Sequence, residues 1–112
     1  MSISYDSIGQ VCVTCNNSSV SSNMPCKIAT NNTITACADG NEIHGVVIST
    51  RSNIATVAIR GFVTLSYSGT APTLGYCSLA ASTNGKVKVL EGARERLVVH
   101  VDTYKKTVTF YL

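Results

Sequence analysis

Short alternating runs of apolar and polar residues, broken by turn-forming clusters, fill most of the chain. The clearest run is IATVAIR at 54–60, where Ile54, Thr56, Ala58 and Arg60 alternate with Ala55, Val57 and Ile59. That period of two places successive side chains on opposite faces of a strand. Similar runs occupy 26–30, 33–37, 43–50, 62–67, 76–81, 86–90, 97–102 and 107–112. In the last of these Val108, Phe110 and Leu112 fall on one face and Thr107, Thr109 and Tyr111 on the other. No stretch sustains the three-to-four-residue apolar period of a helix. The expected fold is all-β, a small barrel or sandwich of about eight short strands.

The breaks carry turn chemistry. Asn31-Asn32 suits a tight hairpin, and Asn84-Gly85 is the strongest two-residue hairpin signal in the chain. ADGNE at 38–42 and Arg51-Ser52-Asn53 form further turns, and EGARER at 91–96 reads as one helical turn or an exposed loop. Gly61 interrupts a strand pattern and predicts a bulge or sharp bend. The longest loop of the core runs from Ser68 to Gly75, with Pro72 fixing its backbone.

The first 23 residues differ from the rest. Residues 8–15 could form a short strand, but NNSSVSSN at 16–23 offers almost nothing to bury. The division expected is an N-terminal arm or leading strand over 1–23, flexible in part, and a β-barrel domain over 24–112. At 112 residues there is room for one ordinary domain.

Superposing Cys26 on Cys77 aligns two halves of similar grammar: a hairpin on an Asn-containing turn, a polar loop, then a hydrophobic hairpin. GVVIST and IATVAI in the first half then match RLVVHV and TVTFYL in the second, with a small shift between strands. The alignment predicts a barrel of two similar motifs, with 61–75 as connector.

Composition changes this picture in one respect. Charged residues make up 13% of the chain, against roughly 25% in an average soluble domain, and Ser, Thr and Asn replace them. Such a surface suits contact with other proteins, whose interface centres are depleted in charge; a Thr-rich β surface without a partner would have the same composition. The net charge of +3 is dispersed over the second half, without the clustered cations and interleaved aromatics of a nucleic-acid binder. No basic leader followed by an apolar run opens the chain, and no stretch approaches membrane-spanning length. The expectation is a chain made in the cytosol, without stable disulfides.

The one motif inviting a chemical reading is Cys12-Val13-Thr14-Cys15. No second Cys pair or spaced His pair completes a zinc site, and the stretch reads as extended, whereas a redox pair belongs at a helix N-terminus. Cys26, Cys37 and Cys77 sit in apolar runs as small buried hydrophobes. His100 lies two residues from Asp102 on one strand face, which reads as a surface His beside a carboxylate. No nucleophile motif, phosphate loop or dinucleotide fingerprint accompanies it. No catalytic residue, cofactor or metal site is expected.

From residue 24 onward the order of elements resembles the decoration proteins that bind the outside of tailed-bacteriophage capsids. The resemblance rests on PCKIATNNTITAC, ADGNEIHGVV, AIRGFVTLSYSG, APTLGYCSLAASTNGKVKV and the terminal VVHVDTYKKTVTFYL. It implies a small β-barrel that associates, often as a homotrimer, on the virion surface and clamps the major capsid protein, with neither membrane nor nucleic acid expected as a partner; the alternative reading is a small barrel that binds single-stranded nucleic acid or peptide. The Cys pair before residue 24 has no place in that pattern. The candidate partner-binding residues are the arm, the loop Ser68, Gly69, Thr70, Ala71, Pro72, Thr73, Leu74, and the flanking Tyr67 and Tyr76, since tyrosine is favoured at interfaces.

Overall fold

In the structure, a computed structural model describing residues 8–112, alternation and turn chemistry produce ten strands and a single 3-10 turn among the described residues. The strands are β1 (Val11–Asn17), β2 (Pro25–Thr30), β3 (Thr33–Ala36), β4 (Gly45–Arg51), β5 (Ile54–Arg60), β6 (Phe62–Ser66), β7 (Gly75–Ala81), β8 (Val87–Val89), β9 (Glu95–Asp102) and β10 (Thr107–Tyr111). The all-β class holds, with more strands than the eight or so expected.

The strands form two five-stranded units of the same design. The first is a closed barrel in the order β1-β3-β2-β4-β5, and the second a sheet in the order β6-β10-β9-β7-β8. Matching β1 with β6, β2 with β7, and so on to β5 with β10, reproduces every pairing and its direction. β1 lies antiparallel to β5 as β6 does to β10, and the β2–β3, β2–β4 and β4–β5 pairs recur as β7–β8, β7–β9 and β9–β10. The parallel contact that closes the first barrel, Asn17 opposite Ile34, survives in the second as one parallel bridge between Tyr67 and Val87. Even the next hydrogen bond is repeated: Ser18 N–H to the Ile34 carbonyl at 3.1 Å, and Ser68 N–H to the Val87 carbonyl at 2.9 Å.

The register agrees with the Cys26–Cys77 alignment. Cys26 faces Gly45 and Cys77 faces Arg96; Val47 faces Val57 and Val98 faces Phe110. The shift between strands arises in the turns, since the β9–β10 turn is longer than the β4–β5 turn. Each unit also carries a bulge at the equivalent residue, Ile48 in β4 and Val99 in β9. Left-handed backbone recurs in pairs at 9 and 61, 19 and 69, 32 and 84, and 40 and 92. A repeat unit is therefore a lead strand plus two hairpins, and β6 is the lead strand of the second copy where a connector was expected.

The N-terminal segment, expected as an arm or leading strand, contributes a strand to the first unit. From Val11 to Asn17 it is β1, an integral stave of the first barrel; its first seven residues lie outside the described residues. The polar run after it buries more than its composition suggests. Asn17 holds the turn with both side-chain atoms, Oδ1 accepting from Val20 N–H at 2.9 Å and Nδ2 donating to its carbonyl at 3.0 Å. Val20, 3% exposed, is thereby driven into the first core.

Two cores result. Cys15, Val20, Cys26, Ile34, Val47, Ala55 and Val57 fill the first barrel. Leu65, Val87, Val98, Val108 and Phe110 stand at the corresponding places of the second, joined by Ile43 and Val46 from the first half. Leu65 for Cys15, Val108 for Ala55 and Phe110 for Val57 are all larger, which accords with a sheet held wider and closed by one bridge only. Thr109, on the face opposite Val108 and Phe110, is buried too, its hydroxyl 2.8 Å from that of Thr64. Backbone bonds knit the units together, Gly40 N–H to the Ala81 carbonyl and Ala81 N–H to that of Asn41, each at 2.9 Å.

Candidate protein-binding surface

The 67–76 segment divides into a buried base and an exposed tip. Tyr67 does not face solvent as expected: it is 3% exposed and belongs to the second core, because it directly follows β6 and continues the inward face of Val63 and Leu65. Ser68 lies 2.7 Å, oxygen to oxygen, from Ser82. Ala71 packs on the core and Pro72 is buried, so the loop is pinned at its middle as well as its ends. Gly69, Thr70 and Thr73 are exposed. Beyond Pro72 the chain turns outward at Gly75, where φ is 91°. Leu74 and Tyr76 on either side of it stand 69% and 70% exposed.

Tyr76 pairs across the sheet with Leu97 of β9, so both side chains share one face. They border a shallow groove of ≈ 240 Å³, continued by Tyr111 and Leu112. Tyr111 is held by an edge-to-face contact with Phe62, ring centroids 5.2 Å apart. The same Tyr111 and Leu112, with Arg94 and Arg96, also line a second groove of ≈ 520 Å³ that extends to His44, Ile59 and Arg60. Loop tip and grooves thus form one surface, rich in Tyr, Leu and Arg.

Arg96 is its least expected member. It occupies the position equivalent to Gly45, where a side chain would meet Val57 Cγ1 at 2.6 Å. In the second unit the arginine is accommodated at 5% exposure, and its Nη2 donates to the Ile43 carbonyl at 2.8 Å. Burial pulls its pKa down, as does neighbouring Arg94, with Glu42 opposing. The signal was present in the sequence: Arg96 and Val98 share the inward face of RLVVHV, and a core-facing arginine is rare unless something satisfies it. Arg60, Arg94, Leu97 and Tyr111 carry no comparable mark, because they come together only where the end of β5 in the first unit meets the paired β9 and β10 of the second.

The other chemical candidates have structural roles. Cys12 and Cys15, three apart on a strand, point to opposite faces, one exposed and one buried. All five cysteines are free, and among the described residues no group of three or more His, Cys, Asp or Glu could hold a metal. The Cys26 thiol is pushed up to about 12, chiefly by burial and then by Cys37 and Cys15 nearby. His44 Nδ1 accepts from the Ile28 N–H at 2.9 Å and so fastens β2 beside its bulge. Asp102 closes the β9–β10 turn, accepting from the N–H groups of Tyr104 and Lys105 at 3.0 Å each. The Lys105 bond is the main reason its carboxyl sits below the usual range. His100 therefore stands beside a carboxylate already engaged by the turn, and no ion pair links them.

No protein-family model matches the chain, and no curated protein matches it either.

Proposed function

We propose that the chain is a non-enzymatic structural protein of a bacteriophage virion, which binds the outside of the capsid and stabilises it. The observation that carries this reading is the pair Leu74 and Tyr76, two large side chains held in solvent by a loop anchored through Pro72 and Tyr67. An exposed leucine alone would mean little. Here it adjoins a cross-strand Tyr–Leu pair and an arginine-lined groove, and Tyr and Arg are the residues enriched where proteins bind proteins. A barrel and sheet tied together by backbone hydrogen bonds lose little conformational freedom on docking, which favours them as a clamp. Many copies on one shell, associated as trimers, would gain avidity from individually weak contacts. The resemblance of PCKIATNNTITAC, ADGNEIHGVV and the terminal hairpin to capsid decoration proteins supplies the class of partner, the major capsid protein.

Co-sedimentation with shells of the encoding phage, stripped of this protein, tests the reading. The wild-type chain should pellet with shells, and a Leu74→Ser/Tyr76→Ser variant, altered only at exposed positions, should stay largely in the supernatant. A wild-type chain that never pellets sinks the capsid role. Equal pelleting by the variant sinks the assignment of the surface.

A further inference from the structure

The ≈ 520 Å³ groove gathers three guanidinium groups, those of Arg60, Arg94 and Arg96, against a single side-chain carboxylate, Glu42. None of the three is ion-paired: among the described residues the sole ion pair is Lys88 with Asp39, and no carboxylate oxygen comes within 4.0 Å of these arginines. Three like charges brought together on a protein with few charges cost stability unless something opposes them. Arg96 is moreover fixed before any partner arrives. It is nine-tenths buried, tied through Nη2 to the Ile43 carbonyl, while its Nε is buried with no hydrogen-bond partner. A core-facing arginine left short of one bond is an expensive feature for a merely structural tie between the two units.

We infer that this groove is the seat of an acidic polypeptide segment, whose carboxylates pair with Arg60, Arg94 and Arg96. The inference deepens the protein-binding reading and rests on it, naming the chemistry of the partner. Planar guanidinium forks match carboxylates with two parallel hydrogen bonds. The apolar flank of Ile59 and Tyr111 suits side chains alternating with those carboxylates better than it suits a phosphate backbone. A nucleic acid would need a basic track and free rings for stacking. Two rings line this groove, and both are engaged: Tyr111 is packed on Phe62, and His44 accepts the Ile28 N–H through Nδ1. The lysines at 86, 88, 105 and 106 line neither this groove nor its neighbour.

Fluorescence anisotropy with labelled hexaglutamate and, separately, a hexathymidylate strand tests the inference on the intact chain at about 50 mM salt, where exposed charges are weakly screened. Hexaglutamate should bind, and Arg60→Gln/Arg94→Gln, which alters exposed positions, should weaken it roughly tenfold. Lys105→Gln/Lys106→Gln removes the same charge elsewhere and should change affinity by less than about twofold. Absence of hexaglutamate binding, equal losses in the two variants, or tighter binding of the DNA strand would each overturn the acidic-segment assignment. Shell binding by a wild-type chain that ignores hexaglutamate would leave the capsid role standing and remove the groove. Groove-dependent hexaglutamate binding without shell binding would do the reverse.

Discussion

Substituting Gly61 by alanine probes the joint between the two repeat units. Gly61 connects β5 to β6 at a φ of 105°, a conformation L side chains rarely adopt, and its carbonyl accepts the Leu112 N–H at 3.0 Å. A methyl group there would lie 2.6 Å from both the Cα and the N of Gln10, backbone atoms one residue ahead of β1. Two costs therefore add: backbone strain of about 1–3 kcal/mol and an overpacking cost of about 1–3 kcal/mol, as β1 must give way. Gly69 separates them. Its φ is 73°, but nothing lies within 4 Å of an added Cβ, so Gly69→Ala should lose only the conformational part, about 1–2 kcal/mol. Urea unfolding followed by far-ultraviolet circular dichroism would report the difference. With slopes of about 1–3 kcal/mol per molar, Gly61→Ala should unfold roughly 1 M earlier than Gly69→Ala. Equal midpoints, or a Gly61→Ala midpoint close to that of the wild type, would refute the claim that β1 and β6 are packed against each other's lead-in.

The two-core description makes Phe110→Ala, in the second unit, cost about 3–5 kcal/mol and Val57→Ala, its counterpart in the first, about 2 kcal/mol. Denaturant unfolding should rank them in that order, and a milder Phe110→Ala would contradict the packing described. Maleimide labelling of the native chain should modify Cys12 rapidly and spare Cys15, Cys26 and Cys77 until the chain unfolds; fast modification of Cys26 would count against its burial. Because the Cys26 thiol titrates near 12 in the folded chain and about 9 unfolded, deprotonation favours the unfolded state between those values. Stability should fall as pH rises above about 9, and Cys26→Ala should make that fall shallower in pH-dependent urea titrations. An unchanged slope would rule out Cys26 as a source of the alkaline loss.

Strands were legible in this chain wherever alternation met a strong turn signal. IATVAIR bounded by Arg51-Ser52-Asn53 and Gly61 became β5 with its limits unchanged, and Asn84-Gly85 turns between β7 and β8. The repeat was legible as well, because Cys26 and Cys77 hold the same register position in their sheets. Facing was less so. The bulges at Ile48 and Val99 switch faces partway along β4 and β9, and simple alternation cannot register an inserted residue. β1 was legible in part: 8–15 read as a short strand, but its end at Asn17 and its place in the barrel come from pairing with β5 and β3, contacts distant in sequence. Tyr67 illustrates the limit for the site. Beside a Ser-Gly-Thr loop it resembled a surface tyrosine, yet its position just past β6, bridged to Val87 of β8, buries it. Leu74 and Tyr76 came from the loop itself, whereas Arg60, Arg94 and Tyr111 meet only where the first barrel abuts the second sheet.

On the proposed function, the Leu74–Tyr76 side of the molecule faces a capsid protein. A photo-crosslinking amino acid placed at position 76, with a second variant carrying it at the exposed Asn31 outside both grooves, tests this directly on assembled virions. Irradiation should join position 76 to the major capsid protein and leave position 31 unlinked, as read by mass spectrometry of the adduct. No adduct from position 76, or adducts of equal yield from both positions, would contradict the claim.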